Sequence, residues 1–183
     1  MSESEELDHY FLENDFGDIS LRSENKNLVI HNAIYEKHII VDTKVKFHNC
    51  HFQSGVTVNK KTIFFSCYIK RKIRNRSKIT IISSFIDLSE IFNEDDKSRM
   101  IINSGRISKS EIINNGVLDI TGVDIDIGKS KMLSIPITFI KGNGRINANF
   151  CNINNRSMIR NECSGIFRGN LRNILDVYGI INQ

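Results

Sequence analysis

Apolar residues recur along this chain in pairs spaced by two, and the pairs themselves repeat with a 17-residue period. Ala33, Cys50, Cys67 and Ser84 mark the repeat. With each of these as position 0, Leu28, Val45, Thr62 and Ile79 stand at −5, and Ile30, Phe47, Phe64 and Ile81 at −3. Tyr35, Phe52, Ile69 and Ile86 stand at +2. Ile39 and Val41, Val56 and Val58, and Ile73 and Asn75 occupy +6 and +8. A spacing of two puts both members of a pair on one face of a strand, whereas the longer steps between pairs need a corner. No 3.6-residue helix reproduces that interruption in successive units. The pattern therefore predicts an all-β, three-sided parallel coil of about 17 residues per turn, each strand pairing with its equivalents above and below. Asn32, Asn49, Ser66 and Ser83 recur at −1, where a corner is expected. Short polar side chains tolerate turns there, and stacked Asn can hydrogen-bond to one another.

The frame continues less regularly. Met100, Ile102, Gly105 and Ile107 fit it 21 residues after Ser84, so four extra residues are expected to bulge near Asn93–Lys97. Leu118, Thr121 and Val123 follow, with Thr121 in the place that Gly105 holds one coil earlier, and Ile146, Ala148, Cys151 and Ile153 read as another coil. The segment around Pro136 and Lys141–Gly144 takes no register. An open solenoid exposes strand edges at its ends unless they are capped. Leu7, Tyr10 and Phe11 have helical spacing behind a potential N-cap at Ser4, which predicts a short N-terminal helical cap. The expected organisation is an acidic N-terminal cap segment over 1–24, a β-solenoid over 25–170 and a C-terminal cap over 171–183.

Over roughly residues 28–165 this arrangement resembles the parallel β-helix class. Left-handed hexapeptide-repeat proteins place an aliphatic residue at every sixth position. Here the strand-to-strand steps run five, six, six and the large residue is often Phe, which favours a right-handed coil. The resemblance implies a fold and no particular activity, since such a scaffold hosts enzymes, adhesins and partner-binding proteins alike.

Composition narrows the setting. No run of 18 apolar residues occurs, and the acidic N-terminus is unlike a secretory signal, so a cytoplasmic location without a membrane partner is expected. Cys50 and Cys67 share one coil position and read as small core residues. Cys151 and Cys163 lack metal-ligand spacing, so neither zinc nor another cofactor is expected. The net charge of +4 hides an asymmetry. Residues 1–18 carry seven acids and no Lys or Arg, leaving 25 bases against 14 acids in the body and making an acidic partner plausible on charge.

The frame also sorts outward residues into columns. At −2 stand His31, His48, Phe65, Ile82 and Asn103; at +1 Ile34, His51, Tyr68, Phe85 and Arg106; at −4 Val29, Lys46, Ile63, Thr80 and Ile101. Ile63, Phe65, Tyr68, Ile82, Phe85 and Ile101 thus gather on the outside of neighbouring coils, a pattern expected of a protein partner's interface or of a homodimer. Lys70, Arg71, Lys72, Arg74, Arg76 and Lys78 form a basic run suited to anions or nucleic acid. His31, His48 and His51 are the third candidate group, an acid–base or metal pair in the weaker reading. No carboxylate ladder completes a catalytic set. The expectation is a non-enzymatic macromolecule-binding protein, of the kind a virus, phage or accessory gene directs at a host protein. The alternatives are nucleic-acid binding through 70–78 and a His-dependent enzyme on an acidic polymer or nucleotide.

Overall fold

A computed structural model describes residues 9–24, 28–108, 110–126, 139–141, 144–154, 158–161, 167–172 and 181–182. The chain opens with β1 (His9–Glu13), β2 (Ile19–Ser23), β3 (Leu28–His31), β4 (Ile34–Tyr35) and β5 (Ile39–Val41). From β2 onward, every pairing among the described strands is parallel and joins one coil to the next. β2 leads a column with β5, Val56–Val58 and the second half of Tyr68–Asn75. β3 leads a second with Val45–His48, Thr62–Phe65 and the start of Lys78–Asn93. β4 leads a third with His51–Phe52 and the start of Tyr68–Asn75. The chain is an all-β solenoid. Register partners in its first coils keep the period of the sequence repeat: Leu28 faces Val45, Val45 faces Thr62 and Thr62 faces Ile79.

Burial follows the pairs spaced by two. Val45, Phe47, Cys50, Phe52, Val56 and Val58 are all buried, as are Thr62, Phe64, Cys67, Ile69, Ile73 and Asn75 one coil on. Phe47, Phe52 and Phe64 fill the first coils, with centroids 5.1 and 5.3 Å apart and ring planes alternately stacked and edge-on. Each of these rings contributes about 1.5–3 kcal/mol of burial on its own.

One residue makes the first corner. Asn32, Asn49, Ser66, Ser83 and Ser104 have φ of 55, 54, 52, 49 and 56°, and Gly122 continues the column at 62°. Left-handed backbone at a single position swings the strand onto the next side; Gly bears it freely and Asn at small cost, whereas the Ser residues carry the strain of a Cβ there. The side chain at position 0 then fastens the corner. Cys50 and Cys67 Sγ and Ser84 Oγ each donate to the carbonyl two residues back, at 3.4, 3.4 and 2.8 Å. Ser89 and Ser110 repeat this bond at another corner, at 3.0 and 2.7 Å.

Four expectations need correction. Phe11 belongs to no helix: β1 pairs antiparallel with β2, setting Phe11 opposite the buried Leu21, with its ring 6.2 Å from Tyr35. Alternation against Leu21, not helical spacing, places this apolar residue; Ser4 and Leu7 lie outside the described residues. The four extra residues do not sit in one bulge. One enters between Asp87 and Ser89, opposite Lys70 and left-handed Arg71, and three enter between Asn93 and Arg99. The next coil is displaced two positions further than the spacing suggests. Gly105 pairs with Val123 rather than Thr121, which stays exposed beside Asn103. Finally, the Asn residues that bond to one another are not those at −1. Asn75, Asn93 and Asn114 are buried, with Nδ2 of each donating to Oδ1 of the next at 2.8 and 2.7 Å. Around Lys141–Gly144, Phe139–Lys141 pairs with Glu111–Ile113. Among the described residues no helix is long and apolar enough to cross a membrane.

Candidate functional site

The left-handed corner divides two outward columns. On one side His31, His48, Phe65, Ile82 and Asn103 stand in register; on the other, Ile34, His51, Tyr68, Phe85 and Arg106. Because coils are one strand spacing apart, flat side chains in a column stack. His31 and His48 lie 4.9 Å apart, and His48 is 5.4 Å from Phe65. His51 to Tyr68 is 4.7 Å, and Tyr68 to Phe85 is 5.1 Å with planes 12° apart. The Arg106 guanidinium caps this second stack 5.7 Å from the Phe85 centroid.

Stacking hides ring faces and leaves edges outward. Phe65 remains 40% exposed, whereas Ile63, Tyr68, Ile82, Phe85 and Ile101 are half-buried. Ile63, Thr80 and Ile101 extend the −4 column alongside. The six apolar residues singled out by the repeat therefore do meet on two adjoining sides, around the corner that carries Ser66 and Ser83.

That corner carries a shallow, open depression of about 750 Å³, running over positions −1, 0 and +1 from Asn49 to Arg106, with Gly122 and Asp124 at its far end. Its polar lining includes Asn49, Ser66, Ser83 and Ser84, with Arg106 and Asp124 toward the far end; its wall is the His51–Tyr68–Phe85 stack. His51 Nε2 is buried there without a hydrogen-bond partner among the described residues. Beneath it, contact with the Cys67 thiol draws the Cys50 thiol down to about 7 and pushes that of Cys67 up.

The basic run is spent largely within the molecule. Lys70 Nζ lies 5.0 Å from the Tyr68 ring, and Lys72 and Arg74 sit 5.5 and 5.6 Å from Phe92. Glu94 takes Arg74 at 3.5 Å and Arg76 at 2.7 Å, and Lys72 faces Glu90 in register. Arg71, Arg76 and Lys78 are exposed, Arg76 while holding Glu94. Sequence reasoning missed this neutralisation because the inserted residue at the bulge shifts the next coil by one. A strict 17-residue frame sets Arg74 against Ile91; the fold sets it against Phe92.

The histidines do not converge. His31 and His48 share one column and His51 stands across the corner. His38 bonds Ser54 O and Thr57 Oγ1 at 3.1 and 2.9 Å on another side of the coil. Among the described residues no group of three or more His, Cys, Asp or Glu is placed to hold a metal ion. Comparisons of this chain with protein-family models, with curated proteins and with solved structures give no match.

Proposed function

We propose that this protein is a non-enzymatic binding protein whose partner is another protein. The contact runs along the apolar columns around Phe65, Tyr68 and Phe85, with a homodimer through the same faces as one form of it. The observation that carries the reading is the run of apolar side chains at −4, −2 and +1, positions that a solvated coil fills with polar residues. The scaffold suits this work, because rigid strands lose little backbone entropy on binding. In its finer form the reading takes the three columns as the sides of a right-handed coil, in a cytoplasmic factor of viral, phage or accessory origin. The nucleic-acid reading has less support, because four of the six bases in the run already face rings or carboxylates. A His-dependent reaction has less still, since His51 is separated from the His31–His48 pair by the corner.

The test is a matched capture. Immobilised wild type and a Phe65→Asp, Phe85→Asp variant are exposed to the same host extract, and bound proteins are quantified. A partner enriched on wild type and reduced at least tenfold on the variant supports the reading. Equal recovery on both, with circular dichroism unchanged, rejects it.

A further inference from the structure

Two thiols and a phenol share the core behind the corner. Cys50 and Cys67 hold position 0 of consecutive coils, and the register on both sides sets them level: His48 faces Phe65 two residues before, and His51 faces Tyr68 one residue after. Neighbouring strands in register lie about 4.8 Å apart, within the span of Cα separations that a disulfide bridges. Both side chains are buried, and both are free thiols. Each Sγ leans toward the preceding coil, Cys50 onto Ile30 O at 3.6 Å and Cys67 onto Phe47 O at 3.5 Å. Cys67 Sγ thus reaches the coil that carries Cys50, and the two thiols are hydrogen-bonded to each other.

Tyr35 completes the group. Its Oη is buried without a hydrogen-bond partner among the described residues, in the same core cluster as the thiols. Burial raises the pKa of this phenol, and the nearby Cys50 and Cys67 raise it further, so the hydroxyl stays a donor. A buried donor with nothing to bond is costly, and a sulfur that gains charge or oxygen supplies the missing acceptor. The thiols differ from each other. The hydrogen bond with Cys67 draws Cys50 down to about 7 against the cost of burial, whereas the same contact and burial push Cys67 up. One sulfur therefore serves as thiolate while the other keeps its proton. Both residues line the open depression at the corner, which brings solvent up to the pair.

We infer that Cys50 and Cys67 form a reversible redox site, closing to a disulfide between the second and third coils when the protein meets a peroxide. The Cys50 thiolate attacks one peroxide oxygen, the O–O bond breaks, and hydroxide leaves with that bond's electron pair. Cys50 becomes a sulfenic acid, whose oxygen accepts from Tyr35 Oη. The Cys67 sulfur then attacks the Cys50 sulfur. The S–S bond forms, the S–O bond breaks, and the departing hydroxide takes the Cys67 proton as water. In sum the two thiols give up two electrons and two protons, and one peroxide becomes two waters. Bridging adjacent strands of one ladder turns Cys50 Sγ toward Cys67 and draws the coils closer than their ordinary spacing. That strain keeps the bond reducible. The site lies in the core, not on the apolar faces, and stands apart from the partner proposed above.

Mass mapping after peroxide treatment tests it. The native full chain is oxidised with hydrogen peroxide, quenched, alkylated in denaturant and cut with trypsin. Cleavage at Lys60 and Lys61 leaves the two cysteines on separate peptides. Wild type is expected to yield the linked Cys50–Cys67 pair, which dithiothreitol undoes, at a rate that climbs as pH passes through about 7. Ser84 already holds position 0 with the same bond to the carbonyl two residues back, so serine in this column keeps the corner. Cys67→Ser should stop at a Cys50 sulfenic acid that dimedone traps, and Cys50→Ser should leave Cys67 reduced, both with unchanged circular dichroism. The wild-type map decides the matter even where a variant fails to fold. Native protein that stays reduced while the urea-unfolded chain links would overturn the inference. Links that join Cys151 or Cys163 instead, or dimedone labelling confined to Cys67, would do the same.

Discussion

At the residue scale, the corner column sets what each position tolerates. Ser66 has φ 52° and an exposed side chain, so the strain of a Cβ in left-handed backbone is its main energetic burden. Ser66→Gly removes that strain but adds freedom to the unfolded chain, and the urea midpoint should barely move. Ser66→Val combines a branched Cβ with the same φ and should destabilise by about 1–2 kcal/mol. A comparable loss for Gly would show that the hydroxyl, not the backbone, matters. The buried Asn column responds differently. Asn93→Ala leaves Asn114 Oδ1 without its donor and removes one of the two acceptors of Asn75 Nδ2, which keeps Arg99 O, a cost of about 2–4 kcal/mol in the same assay. The repeat exposed the −1 column because φ preference is written in residue type. It could not reveal which Asn residues bond to one another, because an inward Asn at +8 is recognisable only once the bulge has brought Asn93 into line with Asn75.

At the element scale, β5 is followed by a polar clamp. Asp42 Oδ2 accepts from Ser20 Oγ at 2.6 Å and Oδ1 from Asn59 Nδ2 at 2.8 Å, tying three successive coils, with Arg22 at 3.9 Å. Burial raises this carboxyl, but the two hydrogen bonds and the Arg22 charge outweigh it and hold it below its ordinary value. A depressed folded value means the clamp's stabilisation is present above the unfolded carboxylate pKa of about 3.9 and is lost as pH falls through the folded one. The stability gap between wild type and Asp42→Asn should therefore be widest near neutral pH and close in acid, measured by denaturant unfolding at stepped pH. A gap that stays constant into strong acid would assign the clamp to packing instead. The strands themselves were legible wherever their partners kept the 17-residue offset. They blurred where offsets became 18, 21 and, for Val117 against Arg145, 28, because insertions move apolar residues out of step without removing them.

At the scale of the whole molecule, the apolar columns were readable as columns, but their depth of burial was not. Tyr68 and Phe85 are half-buried because they stack on each other, a consequence of coil spacing rather than of residue type. The ring stack also joins coils in series, each touching only the one before and the one after, as in other repeat architectures. The parallel ladders that hold those coils have a mechanical consequence. Tension applied along the coil axis loads the hydrogen bonds between turns lengthwise, as a zip rather than in shear, so coils should peel away one at a time. Each early coil that lets go frees about 17 residues, roughly 55–60 Å of chain at full extension. In an optical trap, chains held at both termini should lengthen in steps of that size at modest force. A single rupture spanning the whole chain would mean the stack resists pulling as one body.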